Sequence, residues 1–214
     1  LERTDRNATH LWEEMAPVSV ARAAYDGVEV LNGKIYFVGG WNNSAKNIAE
    51  RYDPTNNHWE TLASMSAARY GVAAAVLNGK LYAIGGQDLS SVEVFDPVSG
   101  QWSTGPALPS ETRNGTAIAV GGKILLMGGI NSANQNVDQV LELDLVTNQW
   151  IQKANMPTAR YGMKLVLFDG KVWAIGGRVN GSAYVNKVEI YDPATNIWSM
   201  GPSLVALRNW PSAW

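Results

Sequence analysis

The chain has 214 residues, of which 46% are hydrophobic and 17% are charged, and its formal net charge at pH 7 is -2. It can therefore bury a sizeable core, and neither a basic excess nor a charged tail points to nucleic acid as a partner. The absence of cysteine excludes a disulfide framework, a thiolate metal site and a cysteine nucleophile. No apolar run approaches the ~20 residues of a membrane span, so we expect no membrane partner.

Residues 1–12 end in a tryptophan and are followed by four repeats of one pattern. Each repeat contains a glycine pair, then an aspartate, then a tryptophan six residues after the aspartate. The glycine pairs begin 46, 43 and 48 residues apart, a period typical of repeat architectures. We expect repeat units at approximately 13–59, 60–102, 103–150 and 151–198. The landmarks are Gly39-Gly40, Asp53 and Trp59; Gly85-Gly86, Asp96 and Trp102; Gly128-Gly129, Asp144 and Trp150; and Gly176-Gly177, Asp192 and Trp198.

The second repeat predicts four strands. Small apolar residues at 71–76 form the first strand, Asn78-Gly79 forms a two-residue turn that tolerates positive φ angles, and residues 80–86 form the second strand. Residues 91–97 alternate apolar and polar side chains, which predicts a third strand, and an Asp-Pro turn then leads to the fourth strand at Trp102. A four-stranded sheet repeated about every 45 residues predicts a blade of a β-propeller.

The two chain ends carry partial repeats. Residues 1–12 resemble the third and fourth strands of a unit, and residues 199–214 resemble the opening of a first strand. A blade shared by both ends would remove the exposed sheet edges. We therefore expect a single all-β domain over residues 1–214, a β-propeller of four-stranded antiparallel blades with four complete blades and a fifth shared by the termini. The alternative is a fragment of a six-bladed ring.

Further motifs accompany the glycine pairs. Tyr82 and its equivalents place an aromatic residue in the second strand, a Tyr or Phe follows in the third strand, and the units open with "MSAAR" or "MPTAR". Together these motifs resemble Kelch repeats over nearly the whole chain, most closely in the second and fourth units. The third unit departs from the pattern at Leu125, Leu143 and Leu145, and Arg22 of the first unit is displaced by one position.

The antiparallel strand order places the loops after the second strands and the linkers between repeats on one face. Variable loops on a rigid scaffold usually carry recognition, and arginine and aromatic residues dominate binding hot spots. A ring of arginines around the channel mouth would suit an acidic peptide or a carboxylate-bearing sugar. The candidate binding residues are Trp41, Asn42, Arg69, Tyr70, Gln87, Arg113, Asn114, Arg160, Tyr161, Arg178, Arg208 and Asn209.

Structural roles compete with binding roles for several of these residues. Glu50, Glu93 and Glu189 recur at one position of the third strand, which favours a structural pairing, and the linker arginines are candidate partners. The arginines are therefore divided between internal ion pairs and ligand binding. Trp41 lies outside the repeat pattern, directly after a glycine pair, and is a stronger candidate for a binding residue than the repeat tryptophans, which we expect to pack between blades.

Catalysis has little support in the sequence. His10 and His58 lie in different units and cannot form a metal pair, and no nucleophile–base arrangement or phosphate-binding loop is present. We therefore expect no enzyme activity, no metal and no cofactor.

The Kelch resemblance implies a protein-interaction module, as in the Kelch-like substrate adaptors of ubiquitin ligases. The alternative it implies is a carbohydrate-binding or sialic-acid-mutarotase-like propeller. Galactose oxidase, a copper enzyme, shares the repeat, but its thioether cofactor needs a cysteine. We expect a monomer. The compartment stays open, with a slight preference for a bacterial or secreted protein.

Overall fold

The computed structural model describes residues 13–23, 26–180 and 183–207. Within these ranges, sixteen strands form four sheets, each of four antiparallel strands in chain order. The all-β propeller organisation predicted from the repeats is therefore confirmed. No helix in the described ranges is long and apolar enough to cross a membrane. The expectations for residues 1–12, Arg208 and Asn209 lie outside the described residues, and closure of the ring by a shared fifth blade stays a prediction.

Each sheet corresponds to one repeat, and we number the sheets as blades 1 to 4. Blade 1 contains β1 (Val28–Leu31), β2 (Lys34–Val38), β3 (Ala49–Asp53) and β4 (His58–Thr61). Blade 2 contains β5 (Ala73–Leu77), β6 (Lys80–Ile84), β7 (Val92–Asp96) and β8 (Gln101–Gly105). Blade 3 contains β9 (Thr116–Val120), β10 (Lys123–Met127), β11 (Val140–Asp144) and β12 (Gln149–Gln152). Blade 4 contains β13 (Lys164–Phe168), β14 (Lys171–Ile175), β15 (Val188–Asp192) and β16 (Ile197–Met200).

The two-residue turns fix the register of the first hairpin in every blade. Asn78 and Gly79 have φ angles of 50° and 72°, and the corresponding pairs of the other blades also have positive φ. Two consecutive positive φ angles match the twist of antiparallel strands. As a result, Leu77 pairs with Lys80 immediately across the turn.

The first strand of each blade is the innermost strand. β1 lies beside β5, β5 beside β9, and β9 beside β13, so the four blades follow one another around a central channel. Apolar side chains fill the space between successive blades. The three clusters include Tyr36 and Ala74 between blades 1 and 2, Ile84 and Ile124 between blades 2 and 3, and Leu125 and Leu165 between blades 3 and 4.

Each repeat tryptophan, on the outermost strand of its blade, bonds to the linker that leads from the preceding blade into its own. The indole N–H of Trp59 donates a hydrogen bond to the carbonyl of Ala16 at 2.8 Å. Trp102, Trp150 and Trp198 make the same bond to Ala63, Pro106 and Ala154. Each acceptor lies four positions after the tryptophan that precedes it in the sequence, which is Trp12 for Ala16 and a repeat tryptophan for the other three. Trp102, Trp150 and Trp198 also pack against the apolar clusters between successive blades, which confirms the expected packing for blades 2 to 4.

The glycine pairs draw the linkers against the ends of the second strands. The backbone N–H of Gly129 donates to the carbonyl of Arg160 at 3.0 Å, and Gly40 and Gly86 make the equivalent bonds to Arg69 and Thr112. A Cβ atom on Gly128 would stand 2.3 Å from the same Arg160 oxygen. Glycine is needed there because the neighbouring backbone leaves no space for a side chain.

Candidate binding face

The linkers pair with the residues that follow the glycine pairs, and this pairing builds a continuous surface at one end of the channel. Ala23 and Trp41 exchange two backbone hydrogen bonds of 2.9 Å, Gln87 donates to Tyr70 at 2.8 Å, and Tyr161 and Arg178 pair in the same way. We call this surface the rim. Its residues are Trp41, Asn42, Tyr70, Gln87, Arg113, Tyr161, Arg178 and Tyr184.

Two of the arginines predicted for the rim lie inside the protein instead. Arg69 and Arg160 are both 0% exposed. Arg69 Nη2 is 2.9 Å from Glu93 Oε1, and Arg160 forms an ion pair with Glu189. This burial contradicts the expectation that their guanidinium groups line the channel mouth. The alternative drawn from the repeating glutamates, an internal ion pair, is confirmed.

Each buried guanidinium also holds backbone carbonyls. Arg69 donates five hydrogen bonds, of which two go to the carbonyls of Gly85 and Ser91 at 2.6 and 2.9 Å. Burial alone would raise the pKa of Glu93, but hydrogen bonds from Ser66, Arg69 and Ala67 outweigh that effect and lower it below its usual value. The pair is therefore a fully charged clamp between a linker and a third strand.

Blade 1 keeps this clamp although its arginine is displaced in the sequence. Arg22 pairs with Glu50, and both side chains are fully buried. Its Nε donates to the carbonyl of Gly39 at 2.8 Å, and the guanidinium carbon lies 3.7 Å from the ring centre of Phe37.

Blade 3 lacks the clamp. Thr112 occupies the linker position of Arg69, because its carbonyl accepts the hydrogen bond from the second glycine of a pair. Leu141 occupies the position of Glu93, because each is the second residue of its third strand and lies three residues before the aspartate of its repeat. Both charges are thus replaced together. Arg113 lies one residue later, at the rim position that Tyr70 holds in blade 2, and its Nη2 donates to Asn134 Oδ1 at 2.7 Å.

Aromatic side chains dominate the accessible part of the rim. Trp41 is 44% exposed, and its ring centre lies 5.1 Å from that of Tyr70. Arg178 lies between two rings, 5.9 Å from the centre of Tyr161 and 5.5 Å from that of Tyr184. Its Nε is buried without a hydrogen-bond partner. Tyr184 was not among the candidate binding residues, although its place as an aromatic residue in the variable loop over residues 178–186 could have indicated a binding role.

The remaining predicted residues divide into accessible and buried positions. Gln87 is exposed on the rim. The Asn42 amide nitrogen donates to the carbonyl of Ala21 at 2.8 Å, which holds the loop. Asn114 is only 5% exposed, and its Oδ1 is buried without a hydrogen-bond partner.

A polar cluster that the sequence did not reveal lies in the channel below the rim. Thr116 Oγ1 is 3.1 Å from Asp26 Oδ2 and 3.1 Å from the carbonyl oxygen of Met163. Burial raises the pKa of Asp26 to about 6 and that of Glu29 to about 7, and the charge of Lys164 partly offsets both shifts. We call Asp26, Glu29, Thr116 and Lys164 the channel site.

No group of three or more His, Asp or Glu residues capable of holding a metal ion occurs among the described residues. His58, the described member of the two histidines, lies at the start of the outermost strand β4, far along the blade from the channel site.

The repeat geometry agrees with comparisons to known proteins. A family model described as the KLHDC2/KLHL20/DRC7 Kelch-repeats domain matches residues 10–205. The chain belongs to the Kelch-repeat family. Members of this family typically serve as protein-interaction modules.

Individual Kelch relatives match parts of the chain. Human Kelch-like protein 33 is 43% identical over 76 residues, which are 35% of this chain and 14% of that protein. Human Kelch repeat and BTB domain-containing protein 12 is 30% identical over 162 residues, 62% of this chain and 26% of that protein. The chain thus spans about a quarter or less of these relatives. The solved structure of YjhT superposes with a TM-score of 0.75 over 89% of this chain and 76% of that one, at 20% identity, and shows the shared fold.

Proposed function

We propose that this Kelch propeller is a non-catalytic protein-interaction module that binds a peptide segment of its partner on the rim. The observation that carries the proposal is the pair of aromatic anchors Trp41 and Tyr184, which are 44% and 45% exposed on loops held by backbone pairing. Exposed aromatic residues on a rigid frame supply contact area at a low entropic cost, and such residues dominate binding hot spots.

The polar groups between these anchors suit a peptide backbone. Arg178, whose guanidinium lies beside the rings of Tyr161 and Tyr184, is partly exposed and can donate to a peptide carbonyl. Arg113 and Gln87 reach the same surface from neighbouring blades. Because the clamps at Arg22, Arg69 and Arg160 hold the linkers, the rim needs little rearrangement on binding, which favours affinity.

A carbohydrate-binding or mutarotase-like role is the second candidate. The observation that favours it is the presence of two channel carboxyl groups, Asp26 and Glu29, whose pKa values of about 6 and about 7 suit proton transfer near neutral pH. A sugar would have to enter the channel mouth, whereas a peptide would lie across the rim.

A peptide display selection against the immobilised chain, with an acidic glycan array in parallel, tests the proposal. We expect peptide ligands whose affinity falls about 10- to 100-fold in Trp41→Ala, the loss typical of a hot-spot residue. Val98→Ala is the matched control, because Val98 is 95% exposed on the opposite face. Equal losses in both variants, or glycan hits without peptide hits, would contradict the proposal.

A further inference from the structure

Hydrogen bonds at the channel site join all four described blades. The backbone carbonyl of Asp26, from blade 1, accepts a hydrogen bond from Ala74 N of blade 2 at 3.1 Å. Its carboxylate contacts Thr116 of blade 3, and Thr116 contacts the Met163 carbonyl at the start of blade 4. The site is therefore enclosed, yet Asp26, Glu29 and Lys164 are each only half-buried, because they border the channel.

Hydrogen-bond donors are too few for the acceptors in this site. The Thr116 hydroxyl has one proton but lies 3.1 Å from two acceptors, Asp26 Oδ2 and the Met163 carbonyl. When Asp26 is ionised, one of these contacts lacks a proton. Asn114, two residues earlier on the same chain segment, carries a buried Oδ1 that also has no donor. Buried acceptors without donors are costly and mark a position where a donor group binds.

The charges in the site are also unbalanced. Asp26 and Glu29 are two acids, and Lys164 is the cation that acts on both of them. No ion pair within 4.0 Å joins Lys164 to either acid in the described part of the chain. Above pH 7 the site therefore holds one more negative than positive charge. A positively charged group with N–H donors would correct both the charge and the missing donors.

The approach to the site runs through the channel, where Asp26, Glu29 and Lys164 each keep part of their surface exposed. The linker positions corresponding to Asn114 are Gly71 and Gly162 in blades 2 and 4, which have no side chains there. A Cβ on Gly71 would stand 2.3 Å from Asn114 Oδ1, so the Asn114 amide is packed directly against the blade 2 linker. At the rim, Trp41 and Tyr70 present ring faces of the kind that attract cations.

We propose that the channel site receives a lysine or arginine side chain of the peptide that binds the rim. The carboxylates of Asp26 and Glu29 supply the counter-charge and accept its N–H groups. This inference rests on the proposed peptide-binding function and specifies the chemistry of the partner. It differs from the acidic peptide expected from the sequence, because two of the rim arginines behind that expectation, Arg69 and Arg160, are internally paired.

Four octapeptide pools provide the test, each with a fixed central residue: Lys, Arg, Glu or norleucine, the last a neutral isostere of Lys. We expect fluorescence anisotropy to select the Lys or Arg pool. Binding should fall about 10- to 100-fold in Asp26→Asn and in Glu29→Gln, the range expected for a lost charged hydrogen bond. Asp169→Asn is the matched control, since Asp169 is an exposed carboxylate in the β13–β14 turn at the other end of the channel, and asparagine keeps its positive φ of 50°.

The pH dependence of binding separates a binding role from a structural one without any substitution. Affinity for the basic pool should fall between pH 8 and pH 5, as Glu29 and Asp26 take up protons. Preference for the Glu pool, with loss in Trp41→Ala, would overturn this inference and keep the proposed function. Selection of a basic pool with no effect of either channel variant would also overturn it. Failure of all four pools would refute the proposed function and the inference together.

Discussion

The buried clamp between Arg69 and Glu93 offers the sharpest test of the physical account of the fold. Arg69→Met removes five hydrogen bonds and leaves the carboxylate of Glu93 buried without its counter-ion. Removing one partner of a buried ion pair costs about 3–5 kcal/mol of unfolding free energy. For a domain of this size, that loss lowers Tm by roughly 6–20 °C.

Blade 3 shows how the same site can be built without charge. Thr112 and Leu141 take the places of Arg69 and Glu93, so the double variant Arg69→Thr/Glu93→Leu copies a solution already present in the chain. No buried charge remains in it. The remaining cost is the loss of an acceptor by the backbone N–H groups of Ser66 and Ala67 and the loss of a donor by the carbonyls of Gly85 and Ser91, about 1–3 kcal/mol for each group that stays unpaired.

A double-mutant cycle measured by urea unfolding checks this reasoning. Each single change, Arg69→Thr or Glu93→Leu, should cost about 3–5 kcal/mol, and the double variant should be more stable than the sum of the two losses by about 2 kcal/mol or more. Ser66→Pro should recover further stability in the double variant, because Pro109 stands at that position in blade 3 and has no N–H. Additive losses would refute the claim that the two charges act as a pair.

Two further predictions concern the channel and the glycine pairs. The pKa values of Asp26 and Glu29 are raised to about 6 and about 7, so the folded chain holds these protons more tightly than the unfolded chain. The free energy of unfolding, measured by urea titration, should therefore fall as the pH rises from about 4 to about 7. At pH 8, Asp26→Asn should be about 1–2 kcal/mol more stable than the parent. An unchanged pH profile would contradict this. Gly128→Ala should lower the free energy of unfolding by more than ~3 kcal/mol or prevent folding, because its Cβ would meet the Arg160 backbone. Gly79→Ala, with a φ of +72° but open space around it, should lower it by about 1–2 kcal/mol. Similar shifts in Tm for the two variants would show that the close approach of the Arg160 backbone does not matter.

The sequence predicted the parts of the fold that local chemistry determines. Consecutive residues with positive φ, as in Asn78-Gly79, set each hairpin, and alternation of apolar and polar residues located the third strands. The spacing of the tryptophans indicated the blades, because each indole N–H donates to a carbonyl that lies four positions after the preceding tryptophan.

Whether a linker arginine is buried or lies on the rim depends on its position in the repeat, and counting from the glycine gives that position wrongly. Arg69 and Arg113 both stand two residues before a glycine, yet one is a buried clamp and the other a rim residue. The position is given correctly by counting from the apolar residue that opens each unit. Arg69 lies four positions after Met65, and Thr112 lies four positions after Leu108. The loss of glutamate at Leu141 was a second signal that blade 3 has no clamp.

The channel site could not be predicted from sequence spacing. Asp26, Thr116 and Lys164 lie on three different blades and meet only because the innermost strands converge on one axis. Nothing in their local sequence distinguishes them from ordinary polar residues at strand ends. Long-range arrangement around the ring decides their environment and raises the pKa values of the acids.

Photocrosslinking tests most directly whether the rim is the binding face. A photoreactive phenylalanine analogue is placed singly at Trp41, at Tyr184, or at Val98 on the opposite face, and each protein is irradiated with a peptide obtained by selection. We expect crosslinks from positions 41 and 184 and none from position 98. Crosslinking from position 98 alone would contradict it and assign recognition to the turns at the other end of the channel.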